Sequence, residues 1–558
     1  MQSTAQDSCV KSMPLAAHII QSRKQRIASI EQQQCWDIVI VGGGVTGAGI
    51  LKLASQLNLN VLLVEQRDFA WGSSSRSSKM VHGGLRYMAQ GQVGLTKESV
   101  TERQRLLLEG YPLITKHSFV MSHYKHAFPS PWLFGQLLTC YDFIAGERQH
   151  KYWPKQSYQG LVPFVDENAL LGGTQFVDAL TDDARLVMRL IQESLQLNGQ
   201  AINYAKVTDI EKDNENYRVN IQLDEKVLSV KAKVVVNACG AWSNQLTTQQ
   251  QESSGSRAKN GKYYMRPLRG SHLVIANWRL PVASVVSLRH NQDKRPVQIY
   301  PWQNVTIVGT TDVEHNQGLE TEARISQQEM DYLLEAINQQ FPDAKISSCD
   351  VISTYAGVRP VITAGKDTPP SKEKREHHIE QQEGLIAVTG GKLTTFRLIA
   401  QQVLELAIQH LKGSPQQDQV LLETIFEQLP PILSKYHGQL SNDISEQNAH
   451  QIEACYGELS ATFLNESQQE LCSNIRYSKH LWAELVWAAK YEQVYHLDDL
   501  MLRRTRLGNV LPNGGDALLD KIKQLCLPEL GWSEQQWQHE VTRYRDIWQT
   551  FYSLPIGS

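Results

Sequence analysis

The feature that most restricts how this chain can fold is a glycine turn set between two apolar runs. Asp37-Ile38-Val39-Ile40-Val41 leads into Gly42-Gly43-Gly44-Val45-Thr46-Gly47, a helix-compatible stretch runs to Leu57, and Val61-Leu62-Leu63-Val64-Glu65 follows. Strand, glycine turn, helix and strand in that order predict the opening unit of a Rossmann-type α/β fold. Gly42 permits the tight turn, Gly44 lets a pyrophosphate approach the backbone, and Gly47 lets the helix sit close to the strand. The helix N-terminus adds amide donors and the positive end of its dipole. Glu65 ends the second strand about 20 residues on, where a carboxylate accepts hydrogen bonds from a ribose 2′-hydroxyl. An acid there favours FAD or NAD over NADP; the motif alone does not choose between those two.

Three later segments add ligand-facing chemistry. Gly72 to Tyr87 is rich in hydroxyls, glycines and bases, and within it Ser77, Ser78, Lys79, His82, Gly83 and Gly84 offer donors suited to phosphates and flavin edges. Val234-Val235-Val236-Asn237-Ala238-Cys239-Gly240-Ala241-Trp242 is a β-branched run ending in small residues, as expected of a buried parallel strand that opens against a ligand. Leu385 to Arg397 repeats strand, double glycine (Gly390, Gly391) and helix start. A second helix N-terminus, opening around Lys392, Leu393 and Thr394, is thus aimed at something anionic or electron-rich.

Composition narrows the class. The 558 residues allow two to four domains and a large core. With 41% apolar and 20% charged residues, the chain is globular rather than disordered or fibrous. Its 55 basic against 58 acidic residues create no global field for nucleic acid, so any cationic surface is local. The eight cysteines lie far apart, with no Cys-x-x-Cys pair and no histidines at zinc spacing, which favours a reducing compartment and no metal. No run of about 18 apolar residues occurs, and the apolar stretch near Leu15 to Ile20 lacks the flanks of a secretory signal. The expectation is a cytoplasmic protein with membrane contact only at its surface. Residues 1–35 form an extension patterned Leu15, Ile19, Ile20, Ile27, Ile30, read as packing on the body in preference to a membrane or partner helix.

At this point several motifs act together. The glycine turn, Ser77-Ser78-Lys79-Met80-Val81-His82-Gly83-Gly84-Leu85-Arg86-Tyr87, Thr181-Asp182-Asp183-Ala184-Arg185-Leu186, Arg269-Gly270-Ser271-His272, Gly309-Thr310-Thr311-Asp312, Ala356-Gly357-Val358-Arg359-Pro360 and Gly390-Gly391-Lys392-Leu393-Thr394-Thr395 resemble, in order and spacing, the FAD-dependent glycerol-3-phosphate dehydrogenases. The resemblance runs over residues 36 to 412, and Tyr491 to Gly508 is similar to that family's helical cap. It implies an α/β (α+β) flavoprotein: a Rossmann-type FAD-binding domain of the D-amino-acid-oxidase kind interleaved with a β-rich substrate domain, plus a C-terminal helical domain. It also implies non-covalent FAD, oxidation of sn-glycerol 3-phosphate to dihydroxyacetone phosphate, electron delivery to a membrane quinone, and a peripheral position on the cytoplasmic face of the inner membrane. Homodimerisation stays open. Residues 1–35 and Gln416 to Arg476 match poorly, and no contacts are carried over there.

Oxidising a secondary alcohol demands a base for the hydroxyl proton, while the hydride passes to the cofactor. A phosphate monoester near its dianionic form demands guanidinium groups that grip two oxygens at once. Arg86, after the glycine pair, and Arg359, kept extended by Pro360, are the expected anchors. His272, in a turn entering an apolar strand, is the natural base because imidazole titrates near working pH. Tyr87 and Thr311 are expected on the substrate's hydroxyls or phosphate. Lys392 suits either the charge developing on the reduced flavin or the substrate phosphate. Asp182 and Asp183 invite a paired-carboxylate reading, but capping the helix that follows explains them better. Asp498 and Asp499, with Arg503, Arg504 and Arg506 toward the end of a short helix closed by Gly508, read the same way and match the macrodipole.

The expected organisation is a flavin domain from 36–85, 165–245 and 350–412, substrate-domain strands at 86–164 and 262–349, and helices from 413 to 558. Gln249 to Gly261 reads as a surface loop. Phe128 to Gly146, aromatic and weakly charged after His123, Lys125 and His126, suits either a bilayer interface that guides quinone or core packing under the substrate domain. Two other classes are weighed: a related flavin oxidase passing electrons to oxygen, and a non-catalytic membrane-associated flavoprotein.

Overall fold

The computed structural model describes residues 15–224, 226–243, 245–246, 264–363, 377–412, 424–427 and 444–555. The start of the extension, the loop read at 249–261 and most of the stretch from 413 to 443 lie outside the described residues.

The apolar runs around the glycine turn form the centre of an eight-stranded sheet, whose main path is His377–Gln382, Leu385–Gly390, Lys226–Asn237, Trp36–Val41, Val61–Val64, Gln200–Ile202, with the hairpin Lys206–Asp213/Asn216–Leu223 branching antiparallel from Lys226–Asn237. Every pairing from Leu385–Gly390 to Gln200–Ile202 is parallel. Parallel strands are covered on both faces, which is why these segments are nearly continuous Val, Ile and Leu. Ile38 and Ile40 pack against the helices Val45–Gln56, Asp183–Gln196 and Phe396–Lys412. Val39 and Val41 point the other way, toward the hairpin Lys206–Asp213/Asn216–Leu223 and Ile30 of the helix Arg23–Gln32. That helix also anchors through Arg23, which donates to the carbonyls of Asn203 (2.9 Å) and Tyr204 (3.0 Å), so the described part of the extension packs on the body.

The second sheet is ten-stranded. Tyr264–Ala276 runs antiparallel to both Val305–Gly309 and Val351–Thr363, and Thr115–Tyr124 pairs with Leu170–Leu180 farther along. Here the organisation read from sequence is corrected. Leu170–Leu180, Val351–Thr363 and Met80–Val81 fall inside stretches assigned to the flavin domain, yet all three belong to the second sheet. Their apolar composition suits either sheet; the antiparallel partner decides, and it lies far away in the chain. The crossing back comes just after Leu180, where Asp183–Gln196 enters the flavin side.

Beyond Lys412 the described chain is helical, with Glu446–Tyr456, Ser460–Glu466, Trp482–Tyr491, Leu519–Leu530 and Glu534–Phe551. Met501, Ile522, Trp537 and Tyr544 share a core with Tyr300, Trp302 and Tyr355 of the second sheet. The short helix expected at Asp498 to Gly508 is broken in two: the helix Leu497–Asp499, capped by Asp499 accepting from His496 N (2.9 Å), continues as a π-helical stretch, Leu500–Arg504, and a separate helix, Leu507–Val510, follows. Gly508 lies inside the last of these, where a Cβ would stand 2.6 Å from Leu502 Cδ2 and Tyr544 Oη. Arg506 Nη1 donates to the Leu502 carbonyl toward the end of the π-helical stretch (3.0 Å), and the arginines also pair with buried carboxylates. Arg503 Nη2 lies 2.6 Å from both Asp498 and Asp499, and Arg503 and Arg504 both converge on buried Asp68. No helix among the described residues is long and apolar enough to cross a membrane.

Candidate active site

The carboxyl ends of Trp36–Val41, Lys226–Asn237 and Leu385–Gly390 open on a cleft of about 1550 Å³ bordered by both sheets. This is where open α/β sheets hold their ligands. The glycines behave as their spacing requires. Gly42 has φ +114°, and a Cβ there would lie 2.6 Å from the Ala238 carbonyl oxygen; one on Gly47 would lie 2.0 Å from that of Gly42. A Cβ on Gly44 would meet only Ser74 Oγ, at 3.1 Å, so its exposed backbone faces the cleft. Ser74 Oγ also accepts from Val45 N (3.0 Å), fixing the start of the helix.

Most of the residues singled out from sequence line this cleft: Gly42, Gly44, Glu65, Ser77, Ser78, His82, Arg86, Tyr87, Gly240, Arg359, Gly390, Gly391, Lys392, Leu393 and Thr394. Glu65 accepts from Gly43 N (2.6 Å) and Arg67 N (2.8 Å), and burial pushes its carboxyl above the usual range. His82 and Thr394 tie the first and last loops together, His82 N donating to Thr394 Oγ1 at 3.1 Å. The Lys392 ammonium lies 4.0 Å from the centre of the Tyr87 ring. Arg359 passes Gly270, where a Cβ would sit 2.4 Å from its Nη2, and donates to Thr310 Oγ1 at 2.9 Å.

Gly47, Lys79, Gly83, Gly84, His272 and Thr311 stand behind the wall instead of lining it. Lys79 has φ +60°, which turns its ammonium inward onto Asp183 (2.9 Å). Burial lowers its pKa, only partly offset by Asp183, to about 8. Gly83 donates its N–H to Asp178 (3.1 Å), and a Cβ there would meet Tyr141 Oη at 2.2 Å. Gly84 supplies the left-handed residue (φ +79°) that starts the helix Leu85–Ala89. Thr311 Oγ1 accepts from Ser271 N (2.9 Å) and donates to Glu329 (2.7 Å), so it fixes the turn before His272.

His272 itself is buried and lies directly opposite both Gly309 and Tyr355 in the sheet. Cross-strand pairing brings the Tyr355 ring onto it at 4.5 Å and 12°. Its Nε2 lies 2.9 Å from Ser78 Oγ. Burial, then the nearby Lys79 and Arg359 charges, hold the imidazole well below its ordinary pKa, so it is neutral. Of the two adjacent aspartates, Asp182 caps the helix by accepting from Arg185 N at 3.1 Å. Asp183 accepts from Ser77 N (2.9 Å), Lys79 (2.9 Å) and Arg506 (2.5 Å).

Sequence reasoning missed Arg295, Thr310 and Tyr355. Arg295 lines the cleft and shares Asp312 with Arg359, at 2.7 and 3.5 Å. Within Asp293-Lys294-Arg295 it reads as surface charge, and Tyr355 carries no signal apart from its register with His272.

A family model described as FAD dependent oxidoreductase matches residues 37–406, and one described as the C-terminal domain of alpha-glycerophosphate oxidase matches 394–537. The chain belongs to the FAD-dependent oxidoreductases. It is 32% identical over 530 residues to an aerobic glycerol-3-phosphate dehydrogenase of Staphylococcus aureus (strain MRSA252), covering 90% of this chain and 92% of the relative. To its counterpart in Staphylococcus haemolyticus (strain JCSC1435) it is 30% identical over 544 residues, or 92% and 94% of the two chains. The structure of glycerol-3-phosphate dehydrogenase from Bacillus halodurans complexed with FAD superposes with a TM-score of 0.71 at 25% identity, over 95% of this chain and 96% of that one. This FAD-dependent oxidoreductase therefore sits in the glycerol-3-phosphate dehydrogenase family, and its cofactor is FAD. Its residues fit that cofactor: a turn closed so tightly at Gly42 and Gly47 that neither has room for a Cβ, the backbone of Gly44 open to the cleft, an acid at the position expected for a ribose, and a second glycine turn lining the same cleft.

Proposed function

We propose that the chain oxidises sn-glycerol 3-phosphate to dihydroxyacetone phosphate in this cleft and passes the electrons to a membrane quinone. The observation that carries the reading is that Arg86, Arg359 and Lys392 line the same cleft as the glycine cradle, a local cationic surface on a chain of net charge -3. Bound FAD supplies a hydride acceptor, so the chain's own residues hold the phosphate, orient the carbinol carbon and take the hydroxyl proton. Arg86 and Arg359 grip the phosphate, with Tyr87 beside them. Lys392, next to the double glycine, offsets negative charge that develops during the reaction. His272, held neutral, is the base. Thr311 acts through the turn that carries His272, since its hydroxyl is already committed to Glu329.

Cofactor contacts are proposed for Gly42, Gly44, Glu65, Ser77, Ser78, His82, Gly240, Gly390, Gly391, Leu393 and Thr394, with Gly47, Lys79, Gly83 and Gly84 shaping the loops that present them. Peripheral contact with the cytoplasmic face of the membrane is proposed through Phe128, Trp132 and Phe143, all exposed beside or on the helix Pro131–Ala145, whose Phe134, Leu138 and Tyr141 are buried. Anaerobic addition of glycerol 3-phosphate tests the substrate: bleaching of the bound flavin is expected, and a spectrum left unchanged would overturn the assignment. A quinone analogue offered alongside oxygen tests the acceptor. Oxygen is the second reading, favoured by the match of residues 394–537 to an oxidase domain, and faster reoxidation by oxygen than by the quinone would select it.

A further inference from the structure

The proposed base does not touch the cleft. His272 is 1% exposed, one ring face is covered by Tyr355, and its edge abuts Gly309, where a Cβ would come within 2.2 Å of Cδ2. Nδ1 has no hydrogen-bond partner among the described residues. Nε2 has one, Ser78 Oγ at 2.9 Å, and Ser78 lines the cleft where His272 does not. A base must lie within hydrogen-bond reach of the proton it takes, directly or through one intermediary. Among the described residues, the hydrogen-bond partner that joins this base to the cleft is a hydroxyl, which can donate and accept at once.

We propose that Ser78 is the proton relay of the reaction: its Oγ receives the substrate's hydroxyl proton as it passes its own proton to His272 Nε2. The proposal rests on the substrate reading above and adds a catalytic residue to it. When the hydride leaves the carbinol carbon with its electron pair for the bound flavin, the substrate O–H bond breaks and that electron pair completes the new C=O. The released proton bonds to Ser78 Oγ, the original Ser78 O–H bond breaks, and its proton bonds to His272 Nε2. Serine ends unchanged and one proton rests on the imidazole.

The surroundings suit that task. Ser77 and Lys79, on either side of the relay, are both tied to Asp183: Ser77 Oγ donates at 2.7 Å and Lys79 Nζ at 2.9 Å. Arg506 holds Asp183 from the C-terminal domain at 2.5 Å. The hydroxyl therefore sits on a fixed frame, as a preorganised relay requires. The neutrality of His272 leaves its Nε2 lone pair free to accept from Ser78 when the proton occupies Nδ1.

The test is anaerobic stopped-flow reduction of the FAD-loaded enzyme by glycerol 3-phosphate, with flavin content checked from the visible spectrum of each variant. Ser78→Ala is expected to lower the limiting rate of bleaching at least about 100-fold, the lower end of the range for a lost acid–base group. The half-saturating concentration should change less than about threefold, and Ser78→Thr, which keeps the hydroxyl, should recover most of the rate. Because both residues serve one transfer, Ser78→Ala/His272→Ala should be no slower than His272→Ala within about threefold. Nitrogen-15 NMR of histidine-labelled protein, assigned with His272→Asn, should find Nε2 as the unprotonated nitrogen. A flavin-loaded Ser78→Ala enzyme that bleaches at the native rate, multiplicative losses in the double variant, or a proton on Nε2 would each overturn the relay alone. Failure of the unmodified enzyme to bleach would overturn the substrate reading, and the relay with it.

Discussion

Asp68→Asn tests how the C-terminal helices are held on the flavin-binding body. Asp68 is fully buried on the loop beyond Glu65. Its Oδ2 accepts from Arg503 Nε (2.5 Å) and Arg504 Nη1 (2.7 Å), and its Oδ1 from Arg504 Nη2 (2.7 Å) and Asn203 Nδ2 (2.9 Å). Burial pushes the carboxyl up, yet Arg504 and Arg503 together hold it below the usual carboxylate range. Asparagine keeps the shape and an acceptor oxygen but removes the charge. Arg503 still has Asp498 and Asp499, each at 2.6 Å. Arg504 is left with the carbonyls of Glu492 (2.8 Å) and Gln493 (3.3 Å), so one buried guanidinium loses its counter-charge. Stranding a buried charge costs about 3–5 kcal/mol. At about 2–4 °C per kcal/mol for a unit of 150–250 residues, the transition should fall by roughly 6–20 °C. Differential scanning calorimetry with saturating FAD measures it without confounding loss of cofactor. Asp68→Asn/Arg504→Met should regain at least half of the loss, since a buried pair is cheaper to remove than to break. A fall under about 2 °C, or a double variant no better than the single one, would refute the claim that this pair clamps the two parts together.

Gly44→Ala should fold with a native far-ultraviolet spectrum, because its Cβ meets only Ser74 Oγ at 3.1 Å, yet lose FAD affinity about tenfold or more by crowding the pyrophosphate position; full flavin stoichiometry after dialysis would contradict this. Arg359→Ala should lower kcat/KM for glycerol 3-phosphate about 30- to 150-fold, the equivalent of about 2–3 kcal/mol for a charged hydrogen bond, mainly through KM. Steady-state kinetics with a quinone analogue reads this, and an unchanged KM would remove Arg359 from the phosphate. His272→Ala should act mainly on turnover, and an unaltered limiting rate of flavin bleaching would dismiss it as the base. Burial raises the Asp182 carboxyl, but Arg506 outweighs it and lowers the pKa from 3.8 to about 2. A group depressed in the fold lends stability above its unfolded pKa and loses it as pH falls through the folded one. Unfolding free energies from denaturant titrations should therefore drop on the acid side of pH 3.8, by on the order of 2 kcal/mol in all, and Asp182→Asn should flatten that limb; identical acid limbs in the two proteins would speak against it.

The parts of the site that are legible in sequence are those the backbone presents through contiguous residues. Gly42 and Gly47 stand where the turn leaves no room for a Cβ, as their spacing implies. Arg86 and Tyr87 line the cleft from the short helix that Gly84 starts, Arg359 directly precedes Pro360, and Lys392 directly follows Gly391. What escapes is pairing at long range: Asp68 and Arg504 are 436 residues apart, Asp183 and Arg506 323. A local rule makes Asp183 a helix cap and Arg506 a dipole partner, and both rules hold for isolated helices in water. Once buried, a charge must find an opposite charge wherever the fold supplies one, because leaving it unpaired costs more than any cap is worth. Lys79 shows the same conflict: in a phosphate-facing loop it reads as a ligand, but its left-handed backbone turns it onto Asp183. The consequence reaches function. Asp183 joins the turn Ser77–Lys79 to Arg506, so the cleft wall that carries Ser78 and positions His272 is held from behind by the C-terminal domain, although the cleft lining itself ends at Thr394.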